Sequence, residues 1–119
     1  MYGLDESIDL GFLFNRKVEQ ICVGLYDVQV NINGGISIAI YGNYEHVLSN
    51  NVLTSKDDML PEAASSLLKL LGQKIVGEKR DGSKVLKLEF SNDSTLIIYD
   101  DDERYESYTI DGPDVSIIV

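Results

Sequence analysis

The chain has one cysteine, one histidine, no tryptophan and only 10 basic side chains against 20 acidic ones. Each scarcity removes a class of function. Cys22, in the apolar run Ile21-Cys22-Val23, has no cysteine to pair with inside the chain and reads as a buried core thiol suited to a reducing compartment. One His and one Cys cannot supply the paired ligands of an intrachain zinc site. They are also poor material for a base beside a nucleophile, because His46 in Tyr44-Glu45-His46-Val47 lies beyond a strand end and reads as a surface or turn residue. The absence of Trp removes a common sugar-stacking platform, and carboxylates this abundant say nothing of glycoside hydrolysis without geometry. No apolar run approaches the roughly 18 residues of a membrane span. Met1–Leu10 carries Asp5, Glu6 and Asp9 and no base, unlike a secretory leader, so a cytoplasmic location is expected.

The remaining composition is that of a folded protein. Apolar residues make up 44% of the 119 positions and charged residues 25%, which suits one domain, 1–119, with one core. The net charge of −10 repels nucleic acid and anionic membranes and attracts a basic protein surface.

Periodicity divides the chain into β, helical and β stretches. Val28, Val30 and Ile32 alternate with polar residues, Asn33-Gly34-Gly35 supplies a tight turn, and Ile36, Ile38 and Ile40 resume the alternation. His46–Leu48 extends this first set. Leu60, Ala63, Ala64, Leu67, Leu68 and Leu71 recur at the spacing of an α-helix over about 57–71, with Pro61 in its first turn, Thr54 or Ser55 as an early cap and Gly72 after its end. Strands return at Lys74–Lys79, Val85–Phe90, Thr95–Tyr99 and Tyr105–Ile110, and Val115–Val119 offers a last one. Residues 10–49 and 72–111 match at an offset of about 57 to 60. The expected fold is α+β: an antiparallel sheet of two similar β-meander units joined by one central helix packed on the sheet.

The cadence Leu71-Gly72-x-x-Ile75, Leu86-x-Leu88-x-Phe90, Asn92-Asp93, Leu96-x-Ile98, Tyr105-Glu106-Ser107-Tyr108 and Ile110-x-Gly112-Pro113 resembles a family of small, acidic, β-rich bacterial proteins. That family commonly has Trp where this chain has Tyr108. In general character the chain is also similar to immunity proteins of contact-dependent and other polymorphic toxin systems, a likeness that implies a cognate toxin as partner but carries no residue roles.

Candidate chemistry is sparse. Asp100-Asp101-Asp102-Glu103 lacks the glycine-bearing spacing of a calcium loop, and neither Gly34-Gly35 nor Asp81-Gly82 leads into a helix as a phosphate cradle does. No catalytic residue, metal or cofactor is assigned. Charge, in contrast, is polarised: from Asp93 to Val119 eight acids face one base, Arg104. Tyrosines interleave with them, which suits a cationic protein surface. The expected partner-binding residues are Tyr99, Asp100, Asp101, Asp102, Glu103, Tyr105, Glu106 and Tyr108. The leading reading is a toxin-neutralising immunity protein, its target a basic nuclease domain; the second is an adaptor that forms a homodimer through a sheet edge.

Overall fold

The computed structural model describes residues 3–58, 60–102 and 104–119. Among them the alternating segments form ten strands: β1 Val18–Val23, β2 Val28–Ile32, β3 Ile36–Ile40, β4 Tyr44–Leu48, β5 Asn51–Thr54, β6 Ile75–Asp81, β7 Val85–Phe90, β8 Ser94–Tyr99, β9 Tyr108–Gly112 and β10 Val115–Ile118. They make two antiparallel five-stranded sheets instead of one, in the orders β1-β2-β3-β9-β10 and β5-β4-β8-β7-β6. Each sheet therefore takes three consecutive strands from one half of the chain and two from the other. Period-two burial on β2, β7 and β8 explains the arrangement: Val30, Leu88, Leu96 and Ile98 are inward together with Ile38 of β3 and Ile110 of β9, and residues of both sheets join one apolar cluster. Each such side chain contributes about 1.5–3 kcal/mol on burial. A single sheet would leave half of them to water.

The two halves have the same strand register. Val18, Gln20, Ile21 and Val23 face Ile32, Asn31, Val30 and Val28, while Ile75, Gly77, Glu78 and Arg80 face Phe90, Glu89, Leu88 and Leu86; the irregularity falls at the same place in both. Further along, Tyr44 lies opposite Ile98 on β8 and Tyr108 opposite Ile40 on β3. The turns match too, with left-handed backbone at Gly35 (φ 75°) and at Asp93 (φ 67°).

The halves meet where β1 and β6 begin. Asn15 N–H donates to Ile75 O at 2.8 Å and Gly72 N–H to Val18 O at 2.9 Å; Ile75 N–H donates to Arg16 O at 3.1 Å and Val18 N–H to Gln73 O at 2.9 Å. Asn15 (φ 65°) and Gly72 (φ 80°) both take the left-handed conformation that turns the chain into this seam.

The helical segment runs Pro61–Leu70 and is 3-10, not the expected α-helix over 57–71. Its i→i+3 bonding, seen again where Leu71 N–H reaches Leu68 O, has three residues per turn. That period puts Ala64, Leu67 and Leu70 on the buried face and leaves Leu60, Leu68 and Leu71, half of the expected apolar stripe, exposed. The segment packs against β1 and β5. Neither Thr54 nor Ser55 caps it: Thr54 lies on β5 and the position before Pro61 is Leu60, without a side-chain cap; the strand expected from Tyr105 starts at Tyr108.

Leu70→Ala should therefore cost about 2–5 kcal/mol in urea unfolding, whereas Leu71→Ala should change stability by less than about 0.5 kcal/mol. An α-helical face would reverse that order.

Candidate functional site

The fold disperses the acidic tyrosine stretch. Asp100 is buried: one carboxylate oxygen accepts the Ser107 hydroxyl at 2.8 Å and the other the backbone N–H of Gly3. Tyr108 is also buried, its phenol pKa raised first by burial and then by the Asp100 charge. Asp100 directly follows β8 of one sheet and Tyr108 begins β9 of the other, and both are buried, so neither is open to a docking partner. Glu103 lies outside the described residues. Asp102 is held by Arg104, whose guanidinium sits 3.2 Å away, and this pairing lowers the Asp102 carboxyl below its ordinary value. Arg104 also lies 5.6 Å from the centre of the Tyr105 ring. Tyr105 and Glu106 are exposed in the link to β9.

Tyr99 and Asp101 belong to a second neighbourhood. The Tyr99 hydroxyl donates to Glu45, the Lys56 ammonium lies 4.7 Å from its ring centre, and Asn43 Nδ2 donates to Asp101 at 3.0 Å. Burial, the Glu45 hydrogen bond and the charges of Glu45 and Asp101 push the Tyr99 phenol up to about 12. Asn43 and Lys56 also line a pocket of about 400 Å³ that opens where the β1–β2 turn, the link from β3 to β4 and residues 56–64 converge.

Gly24-Leu25-Tyr26-Asp27 forms one lip of this pocket, held by the Gly24 N–H to Asp27 O bond at 2.9 Å. A side chain at Gly24 would meet the Asp27 carboxylate, which would have to swing aside. Leu25 is 77% and Tyr26 86% exposed; with Tyr41 and Leu60, also exposed, they make an apolar rim. Val28, Ile40 and Ala64 form the floor, and Tyr44 lines the wall with its phenol raised by burial and then by Asp58. Asp27 and Asp58 add carboxylates, and residues 18–54 contain no Lys or Arg.

Sequence reasoning missed Leu25, Tyr26, Tyr41, Tyr44 and Leu60. The available signal was the apolar pair in a four-residue hairpin turn, where polar residues ordinarily stand. Tyr44 and Leu60 gave none, because their positions depend on strands and a helix from distant parts of the chain.

Neither His46 nor Cys22 stands where the sequence placed it. Cys22 is half-buried on edge strand β1, its sulfur 3.6 Å from Asn31 Nδ2, not in the core. His46 is fully buried on β4 between Leu96 of β8 and Thr54 of β5. The Thr54 hydroxyl donates to Ala63 O at 2.7 Å, so the bond between Thr54 and Ser66 must be donated by Ser66. Ser66 then has no proton left for His46, and the 2.8 Å contact is donated by His46 Nδ1–H. The imidazole is the neutral Nδ1–H tautomer, with Nε2 a buried lone pair lacking any partner among the described residues. That direction is opposite to the one by which an imidazole would activate the serine.

No family model matches the chain, and comparison with curated proteins and with solved structures finds no match either. Among the described residues no three His, Cys, Asp or Glu side chains cluster as metal ligands would, and no helix is long and apolar enough to cross a membrane.

Burial, then the charge of Lys69, lowers the His46 pKa; Thr54, Ser66 and Leu96 around it carry no charge. The unfolded chain therefore binds a proton that the folded chain refuses once pH falls below about 6.5, and stability drops as pH falls through that value toward the depressed folded one. The loss should be visible as a falling urea midpoint as pH drops below about 6.5. His46→Ile should flatten that fall in urea titrations, since this is the sole histidine; an unchanged fall would show that His46 does not titrate as described.

Proposed function

We propose that the protein is a non-catalytic inhibitor of the immunity type, which binds a basic domain of a cognate bacterial toxin, such as a nuclease, and neutralises it. The carrying observation is the open pocket whose exposed rim of Leu25, Tyr26, Tyr41 and Leu60 adjoins Asp27, Asp58 and the Tyr99–Asp101 strip. Aromatic and aliphatic anchors around a recess, bordered by one sign of charge, are the composition of a binding hot spot. The charge of −10 speeds encounter with a cationic surface and disfavours nucleic acid. The docking surface of this reading is centred on the pocket, with Tyr99, Asp101 and Asp102 at its edge and Tyr105 and Glu106 further along the link. The matched registers further support reading the chain as two similar meander units flanking the helical segment.

Co-expression with the product of the reading frame immediately upstream tests this. A one-to-one complex is expected by light scattering, with affinity falling at least about tenfold between roughly 0.05 and 0.5 M salt, as the shortened screening length removes the charge attraction. A stable homodimer with no such complex would favour the adaptor that self-associates through an edge strand.

A further inference from the structure

The matched registers invite a comparison of the two hairpin ends. At the β6–β7 end the position facing Leu86 is Arg80, whose guanidinium donates to Asp5 O at 3.2 Å, to Ile8 O and to Glu78 at 3.1 Å. Its positive charge acts on the phenol of Tyr108. Arg80 thereby ties the chain at Asp5–Ile8 to this hairpin end, beside a recess of about 570 Å³ that it lines with Leu4, Asp5, Glu6, Gly82 and Ser83. At the β1–β2 end the position facing Val28 is Val23, the corresponding tyrosine is Tyr44, and the pocket lies open between them.

The β1–β2 end has groups suited to a cation. Asp27 spends Oδ2 on Gln29 at 3.2 Å and Asp58 spends Oδ1 on the Leu60 N–H at 3.2 Å; the second oxygen of each has no hydrogen-bond partner among the described residues. The hydroxyls of Tyr26, Tyr41 and Tyr44 likewise have none there. Lys56, the one cation at the pocket, is directed at the Tyr99 ring. Tyrosine faces beside carboxylates fit a planar guanidinium, which stacks and forks at once, better than a compact, strongly hydrated ammonium.

We propose that this pocket receives an arginine side chain of the partner protein. The inference rests on the protein-binding reading above for the source of that arginine, and on the pocket alone for its chemistry.

The test uses the full chain and a small probe, N-acetyl-arginine N-methylamide, followed by NMR. Saturable shifts are expected at Tyr26, Tyr41 and Tyr44, with the uncharged citrulline analogue binding at least about tenfold more weakly, the loss of one charge-assisted contact of about 1.4 kcal/mol. The lysine analogue should fall between them. The Asp27→Asn, Asp58→Asn double variant, which keeps both amide oxygens as acceptors, should lose the arginine preference with an unchanged urea midpoint. Equal binding of arginine and citrulline analogues, or no saturable shift at these tyrosines, overturns the inference. A co-expressed complex formed while the probe fails leaves the inhibitor reading standing and removes the arginine; probe binding without any complex supports the pocket assignment and removes the inhibitor reading.

Discussion

Four main-chain hydrogen bonds between residues 15–18 and 72–75 hold the architecture together. They join the starts of β1 and β6, the edge strands of two different sheets, and so tie the two sheets together where these strands begin. The constraint propagates outward. Asn15 and Gly72 must take the left-handed conformation, the apolar pairs Leu10 and Leu13, and Leu67 and Leu70, are drawn inward just before each turn, and each half must give its last two strands to the other's sheet.

Within this shared frame the two hairpin ends differ. At one end the chain from Gly3 to Leu10 is tied down by Leu4 N–H to Ser83 O, by Asp100 and by the Arg80 guanidinium, and Tyr108 is buried. The other end has Val23 in place of the arginine and an exposed Leu25-Tyr26 turn in place of the polar Gly82-Ser83-Lys84. A similar contrast appears inside the core. Ile110 and Ile117 face each other on β9 and β10, whereas His46 and Thr54 do so on β4 and β5, introducing a polar cluster that satisfies every group except one imidazole nitrogen. Burying that nitrogen unpaired costs free energy that an isoleucine would not.

Much of the β pattern was legible because strand periodicity is local: Val28–Ile32, Ile36–Ile40 and Val85–Phe90 fall where alternation and turn residues place them. The helix type was not, since the stripe at Leu60, Ala64, Leu67, Leu68 and Leu71 fits 3.6 residues per turn and only packing against β1 and β5 selects Ala64, Leu67 and Leu70. The division into two sheets was equally hidden, because alternation specifies which face is buried and not which strand lies alongside. For the candidate site, net charge pointed to a cationic protein, but proximity in sequence misassigned Asp100 and Tyr108 to the surface. The pocket rim is assembled from the turn at Gly24–Asp27, the link at Tyr41–Asn43 and the stretch around Leu60, contacts no linear pattern announces.

The central claim is that the open Leu25–Tyr26 end is where a basic partner docks. The most direct measurement is the affinity of the co-expressed partner for the Leu25→Ser, Tyr26→Ser variant beside that variant's own urea stability. Because both side chains project into solvent, stability should stay within about 0.5 kcal/mol of the parent while affinity falls by about 30-fold or more, the loss typical of removing central anchors. Undiminished affinity in a variant of undiminished stability would place the interface elsewhere on the molecule and contradict the account.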